Sequence, residues 1–267
     1  MKISSLLAKS PLVDRTVLVT RPNGREKHLV SMIKRAGGTA IHYPAISIQP
    51  PRELEIKELI RLREQLQGFD MAIFISATAV EHSLMYFPVL PEHFTVVSIG
   101  SKTSAALHKQ NIPVDIESPG NDTESLLKLP QFQMPHMEGK RILIFRGVGG
   151  RPLLGDTLVR RGAQVRYVET YRRTLPPQQP LSSEQVDNID AITISSNDGL
   201  DNLVTLMDDP SILIDIPLFV PSTRVVRQAR QHGFKNIEQA NSATDEDMIA
   251  ALSDYFTRGY AGGEKTI

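Results

Sequence analysis

Along the chain, short apolar runs rich in Val and Ile alternate with longer amphipathic segments. That alternation is the pattern of parallel strands joined by crossover helices, so an α/β architecture follows. The runs predict strands over Thr16–Thr20, Thr39–Tyr43, Met71–Ser76, Thr95–Ile99, Arg141–Phe145, Gln164–Val168, Ala191–Ser195 and Leu218–Val220, with weaker ones near Val114 and Ile237. Several runs end in small or polar residues just before a helical pattern: Ser76-Ala77-Thr78, Gly100-Ser101-Lys102, Ser195-Ser196-Asn197 and Pro221-Ser222-Thr223. Such residues cap helices and leave backbone N–H groups free at the strand's carboxyl end. In open parallel sheets that edge is where ligands bind.

The pattern also repeats. IFISATAVEHSL, from Ile73, matches ITISSNDGLDNL, from Ile192, in strand, serine turn and helix start. The segment beginning at Val17 parallels the one beginning at Ile142, with Arg21 opposite Arg146 and Gly37 opposite Gly162. A third pair sets GSKTSAALHKQNI, from Gly100, beside PSTRVVRQARQHGF, from Pro221. Two similar α/β units are implied. On composition, the Pro-rich loops Leu129–Pro135 and Leu175–Pro180 are both plausible crossings between them, and Gly259–Ile267 reads as a frayed tail.

Composition narrows the chemistry. A chain of 267 residues, 40% of them hydrophobic, has room for two domains of ordinary size. Its 30 basic and 30 acidic side chains cancel, so no global field draws it to nucleic acid or an anionic membrane, and a charged ligand must be held locally. The absence of cysteine removes disulfides, thiolate nucleophiles and cysteine-ligated metals, and fits the cytoplasm. The apolar run within Met1–Val13 is too short for a signal peptide, and no later stretch approaches the roughly 20 apolar residues that span a bilayer, so a soluble, unprocessed protein is expected.

Individual motifs are weaker. Arg146-Gly147-Val148-Gly149-Gly150-Arg151 follows a strand and opens a helix, but the third glycine of a dinucleotide fingerprint falls on Pro152, although Glu169 sits where a ribose-binding acid would. A glycine-rich turn approaching an anion is the preferred reading. Histidines at 28, 42, 82, 93, 108, 136 and 232 form no paired metal motif, and no GxSxG elbow or Walker sequence occurs. A lone tyrosine such as Tyr171, at a strand end before a Pro-rich break, is usually packing with its hydroxyl in water. Single serine turns are ordinary caps. Four in symmetric positions offer many backbone donors and suit a polycarboxylate.

Thr20-Arg21-Pro22, Gly37-Gly38 followed by YPAISI, FISATAVEHSL, the SIG-x-x-T turn, the SPG-x-x-TESLL run from Ser118, FRGVGGR, VETYRRT, the turn at Ser195-Ser196 and the PST turn together resemble the uroporphyrinogen-III synthase family over about residues 15–256. The resemblance implies two similar parallel-sheet α/β domains joined by a two-stranded linker, the first domain discontinuous. Val13–Ala45 would join Thr174–Phe256, Pro50–Tyr167 would form the second domain, and Ile46–Gln49 and Val168–Arg173 the crossings, a paired linker that permits hinge motion.

The same resemblance implies a lyase of tetrapyrrole biosynthesis, on the route to heme, siroheme and cobalamin. It would cyclise and dehydrate hydroxymethylbilane, a substrate with eight carboxylates, with inversion of its last ring. No cofactor, metal or covalent nucleophile is implied, and the expected partners are the substrate and, transiently, the preceding enzyme of the pathway, with the chain itself a cytoplasmic monomer. Tyr171 would assist departure of hydroxide. Arg21, Ser76, Ala77, Thr78, Ser101, Lys102, Thr103, Arg146, Ser195, Ser196, Asn197, Ser222 and Thr223 would line the cleft, largely through backbone amides. The chain departs from common members at Ser196-Asn197-Asp198, where serine-proline or serine-alanine-x-glycine is usual, and Asp198 there would repel a carboxylate. Two other classes stay open: a non-catalytic protein that closes on an anionic ligand, and a nucleotide-dependent oxidoreductase built on the Arg146–Arg151 turn.

Overall fold

The computed structural model describes residues 10–120 and 122–260. The N-terminal segment through residue 9 and the expected tail beyond Tyr260 lie outside them. The strands are β1 (Thr16–Val19), β2 (Thr39–His42), β3 (Ser47–Gln49), β4 (Met71–Phe74), β5 (Thr95–Ser98), β6 (Ile116–Glu117), β7 (Arg141–Gly147), β8 (Gln164–Thr174), β9 (Ala191–Thr193), β10 (Leu218–Val220) and β11 (Ile237–Gln239). The helices are α1 (Lys27–Arg35), α2 (Glu53–Arg63), α3 (Ala77–Ser83), α4 (Ser101–Lys109), α5 (Thr123–Lys128), α6 (Leu153–Arg160), α7 (Ser183–Asp187), α8 (Asn197–Thr205), α9 (Thr223–Gln231) and α10 (Asp245–Tyr260). Among the described residues no helix is long and apolar enough to cross a membrane.

Two compact units result: residues through Ser47 with those from Thr174 onward, and Ile48–Arg173. The first unit's sheet has the order β11-β10-β9-β1-β2, every pairing parallel. The second has β3-β8-β7-β4-β5-β6, with β8, β7, β4, β5 and β6 parallel. Matching the repeated segments, β9 to β4, β10 to β5 and β1 to β7, shows one strand order built twice, with the chain entering the first copy at β1 and completing it only after the second copy is made. The Pro-rich stretch Leu129–Pro135 lies inside the second unit, where Pro130–Phe132 form a 3-10 turn.

Side-chain alternation explains the layers. In β1, Val17 and Val19 face Leu29, Ile33, Met248 and Leu252 from α1 and α10, while Leu18 faces Leu200, Leu203 and Val225 from α8 and α9. The second unit repeats this: Phe74 and Phe145 meet Leu62, Val80 and Leu107, while Ile73 and Ile144 meet Leu126, Leu154 and Leu158. A strand covered on both faces reads as a continuous apolar run, which is how these segments stand out in the sequence.

Two devices recur at equivalent places. Asp190, just before β9, accepts from Thr16 N at 2.8 Å, and Asp70, just before β4, accepts from Arg141 N at 2.7 Å, so each carboxylate sets the start of the neighbouring strand. Gly37 and Gly162 end α1 and α6 at φ of +88° and +90°, a left-handed turn that a side chain would strain.

Phe145 stacks on Phe74 with ring centroids 4.5 Å apart and meets the edge of Phe87 at 5.4 Å, all three fully buried. Phe145→Ala is expected to destabilise the second unit by about 3–5 kcal/mol, read as a lower urea midpoint of the transition that reports that unit.

Candidate substrate-binding edges and the buried tyrosine

Because the strands run parallel, the turns that follow β1, β9 and β10 share the carboxyl edge of the first sheet, and those following β4, β5 and β7 share that of the second. The first-turn N–H groups of the helices that start there lack intrahelical acceptors. Ser76 caps α3, its Oγ accepting from Ala79 N at 3.1 Å, and Ser196 caps α8, its Oγ accepting from Gly199 N at 3.1 Å. Ser222 is the N-cap of α9 without a side-chain bond to it. Aligned as repeats, Ser76 stands opposite Ser195 and Gly100 opposite Pro221, so the first unit enters both helices one residue later than the second.

The turn after β5 differs from the expected serine cap. Gly100 is the N-cap of α4 at φ +80°, and Ser101 and Lys102 are already helical and exposed. Thr103 is turned away from any ligand: its hydroxyl donates to Ile99 O at 2.8 Å, its N–H to Gly100 O at 3.0 Å, and it is buried. Beneath it Ser98 Oγ and Ser104 Oγ lie 2.6 Å apart, and Ser104 also donates to Glu117. This serine pair ties α4 to β5 and β6, and no motif announces it.

The two arginines that the repeat equates share another role. Arg21 donates through Nη2 to Ala243 O at 2.7 Å and pairs with Asp245 at 2.6 Å. Burial pushes its guanidinium below the ordinary value, with Asp245 and then Glu246 opposing. Arg146 donates from Nε and Nη2 to Glu169 Oε1 at 3.1 and 2.9 Å and lies 3.8 Å above the Tyr167 ring. Glu169 Oε1 also accepts from Gly149 N at 3.2 Å. The acid that a dinucleotide site would set on a ribose is therefore occupied by its own glycine-rich turn. Both arginines, expected to line the cleft, have their side chains engaged within their own units.

Tyr171 is 1% exposed, which overturns the reading of a packed ring with a hydroxyl in water. Val168 and Tyr171 enter the same core cluster although three residues apart, which strict alternation forbids. A bulge resolves this: Arg146 pairs with Glu169 but Gly147 with Tyr171, leaving Thr170 as the extra residue and swinging Tyr171 onto the core face. Its ring lies 5.3 Å from that of His82, and Arg173 Nη2 reaches its hydroxyl at 3.5 Å.

The remaining expected side chains are distributed as follows. Ala77 and Thr78 are half-buried in the first turn of α3 and Ser195 precedes the α8 cap. Thr223 Oγ1 lies 3.2 Å from Gln239 Oε1. Asn197 does more than lend a backbone amide: its Oδ1 accepts from Arg224 Nε at 2.9 Å. Arg224 was not among the residues singled out from the sequence, and its one signal is a cation in a first turn, against the helix dipole.

Parallel sheets covered by helices on both faces, in two units of which the first is discontinuous, define the class as a doubly wound α/β protein. The family model for uroporphyrinogen-III synthase HemD matches residues 27–250. The uroporphyrinogen-III synthase of Escherichia coli is 32% identical over 89% of this chain and 99% of its own, and that of Salmonella typhimurium 31% identical over 89% and 99%. The fold is similar to a mutant uroporphyrinogen III synthase from Thermus thermophilus (TM-score 0.60, 16% identity, 93% of this chain and 100% of the other). It is also similar to the uroporphyrinogen-III synthetase of Helicobacter pylori (TM-score 0.58, 12% identity, 90% and 99%). The chain belongs to the uroporphyrinogen-III synthase family.

A Cβ on Gly147 would stand 2.6 Å from Tyr171 Cε2 and 2.7 Å from Cζ. Gly147→Ala is therefore expected to push the tyrosine ring from its seat, costing about 1–3 kcal/mol of stability. Thermal denaturation reads that loss, and an unchanged melting temperature would show that the ring yields freely.

Proposed function

We propose that the chain converts hydroxymethylbilane to uroporphyrinogen III and receives the carboxylates of the bilane on the carboxyl edges of its two sheets. The observation that carries this reading is the match to the Escherichia coli synthase along 89% of this chain and 99% of that one. Loss of the terminal hydroxyl leaves an azafulvene electrophile, the substituted carbon of the last pyrrole attacks it to give a spiro intermediate, and rearrangement sets that ring inverted. Closure without inversion proceeds unaided, so the protein's task is to hold one geometry against the competing isomer, which is work for orienting contacts more than for strong acids and bases.

In this reading the first-turn amides at Ala77-Thr78, Ser101-Lys102, Asn197 and Thr223, with the hydroxyls of Ser76, Ser195, Ser196 and Ser222, meet the carboxylates. Arg21 and Arg146 keep the edges in shape, and Thr103 anchors α4. Tyr171 gives its phenolic proton to the departing hydroxyl, its oxygen accepting from Arg173 Nη2 at 3.5 Å. The bodies that hold substrate are 13–45 with 174–256 and 50–167, linked by 46–49 and 168–173. We place the reaction in the cytoplasm, in line with a chain without cysteine, and carried out by a monomer that meets the preceding enzyme only transiently.

Freshly prepared hydroxymethylbilane, incubated with and without the protein, then oxidised and separated into porphyrin isomers, tests the reading. Isomer III predominating only with protein is the expected result. Isomer I alone at the unaided rate would contradict it and leave a binding protein in its place. In the same assay Tyr171→Phe is expected to slow turnover by about 100-fold or less, the lower end for a lost general acid, because the leaving group departs readily. An unaltered rate would remove Tyr171 from the chemistry.

A further inference from the structure

A polar groove in the first unit is built more carefully than packing requires. Helices α8 and α9 are joined along it by a ladder of side-chain bonds. Arg224 Nε donates to Asn197 Oδ1 at 2.9 Å, and Gln228 Nε2 donates to Asn197 O at 3.4 Å and to Asp201 Oδ1. His232 Nε2 then lies 2.7 Å from the same Asp201 oxygen. The groove they line has a volume of about 570 Å³.

The two ends of the ladder differ in charge. At the foot, the Asp201 carboxylate meets Gln228 and His232. At the head, Arg224 meets only a neutral amide. Its Nε is held by Asn197, which fixes the plane of the guanidinium, while the four N–H donors on its terminal nitrogens have no acceptor among the described residues. Arg227, one turn further along α9, lines the same groove and has no charged partner among the described residues. A cation in the first turn of a helix opposes the dipole, so Arg224 gains nothing there from the helix itself. A planar fork fixed at one nitrogen and open at the others is a receptor for a carboxylate.

We infer that Arg224, aimed by Asn197 and supported by Arg227, binds one carboxylate side chain of the bilane at the head of the α8–α9 groove. The inference rests on the synthase reading above and deepens it. The side chain of Asn197, apart from its backbone amide, is then a positioning group, acting through Arg224.

Steady-state kinetics on hydroxymethylbilane with Arg224→Gln, Arg224→Lys and Asn197→Ala tests this, each variant first checked for wild-type circular dichroism and melting. Arg224→Gln is expected to raise KM about 10-fold with kcat changed less than about twofold, the loss of one charge-assisted contact. Arg224→Lys is expected to recover part of that loss, and Asn197→Ala to raise KM about threefold by leaving the fork unaimed. Added salt is expected to narrow the gap between wild type and Arg224→Gln. A wild-type chain that makes no isomer III removes the synthase reading and the subsite with it. Isomer III made by the wild type, with a KM that Arg224→Gln leaves unmoved or with a loss confined to kcat, removes the subsite alone.

Discussion

Parallel pairing from β1 to β2 and β9, and from β7 to β4 and β8, forces every link between neighbouring strands to cross back over a face of the sheet. The crossing helices therefore begin at the edge where the strands end. Each helix brings its first-turn amides to that edge, and the small polar residues at 76, 196 and 222 let the chain turn sharply there. An edge where helix N-termini gather is thus a consequence of the topology, and the same order of strands made twice yields two such edges. Asp70 and Asp190, each binding the first amide of the strand beside it, keep the registers on which both depend.

The bulge in β8 shows how a local irregularity re-aims a side chain. One extra residue, Thr170, changes which face of the strand receives residue 171, and it brings the tyrosine over Gly147, where any side chain would collide with the ring. The phenol is then held between His82 and Arg173 on the unit's own scaffold. The glycine-rich turn next to it is fastened by Glu169 to Arg146 and Gly149, so the residues around Tyr171 form a braced corner of the sheet in which the tyrosine has one seat.

Much of this was legible in the sequence because a strand covered on both faces must be apolar along its middle, and β1, β4, β7, β9 and β10 carry such runs. The repeat was legible for the same reason, with the serine turns as its punctuation. Periodicity ended β8 at Val168, whereas the strand runs on to Thr174. Glu169, Thr170, Arg172 and Arg173 look like the end of a strand to any reading that expects a buried run, and the bulge between them breaks the alternation that would have marked a half-buried one. β3 carries too few residues to show a period. Partnerships across the fold were illegible: nothing local links Arg21 to Asp245, Arg146 to Glu169 or Asn197 to Arg224, and only the folded chain shows that the first two arginines are occupied while the third keeps open donors. The turns Gly100-Ser101-Lys102 and Ser195-Ser196-Asn197 mark helix starts without saying which residue is the cap, and the structure makes it Gly100 in one and Ser196 in the other.

If backbone amides at the sheet edges receive the carboxylates, amide hydrogen exchange measured with and without uroporphyrinogen III reads them directly. Slowed exchange is expected in the first turns of α3, α4, α8 and α9, with the amino-end edges of both sheets unchanged. Exchange unaltered in those turns, or slowed only at the cavity lined by Lys27, Lys34 and His42 beside α1, would contradict it.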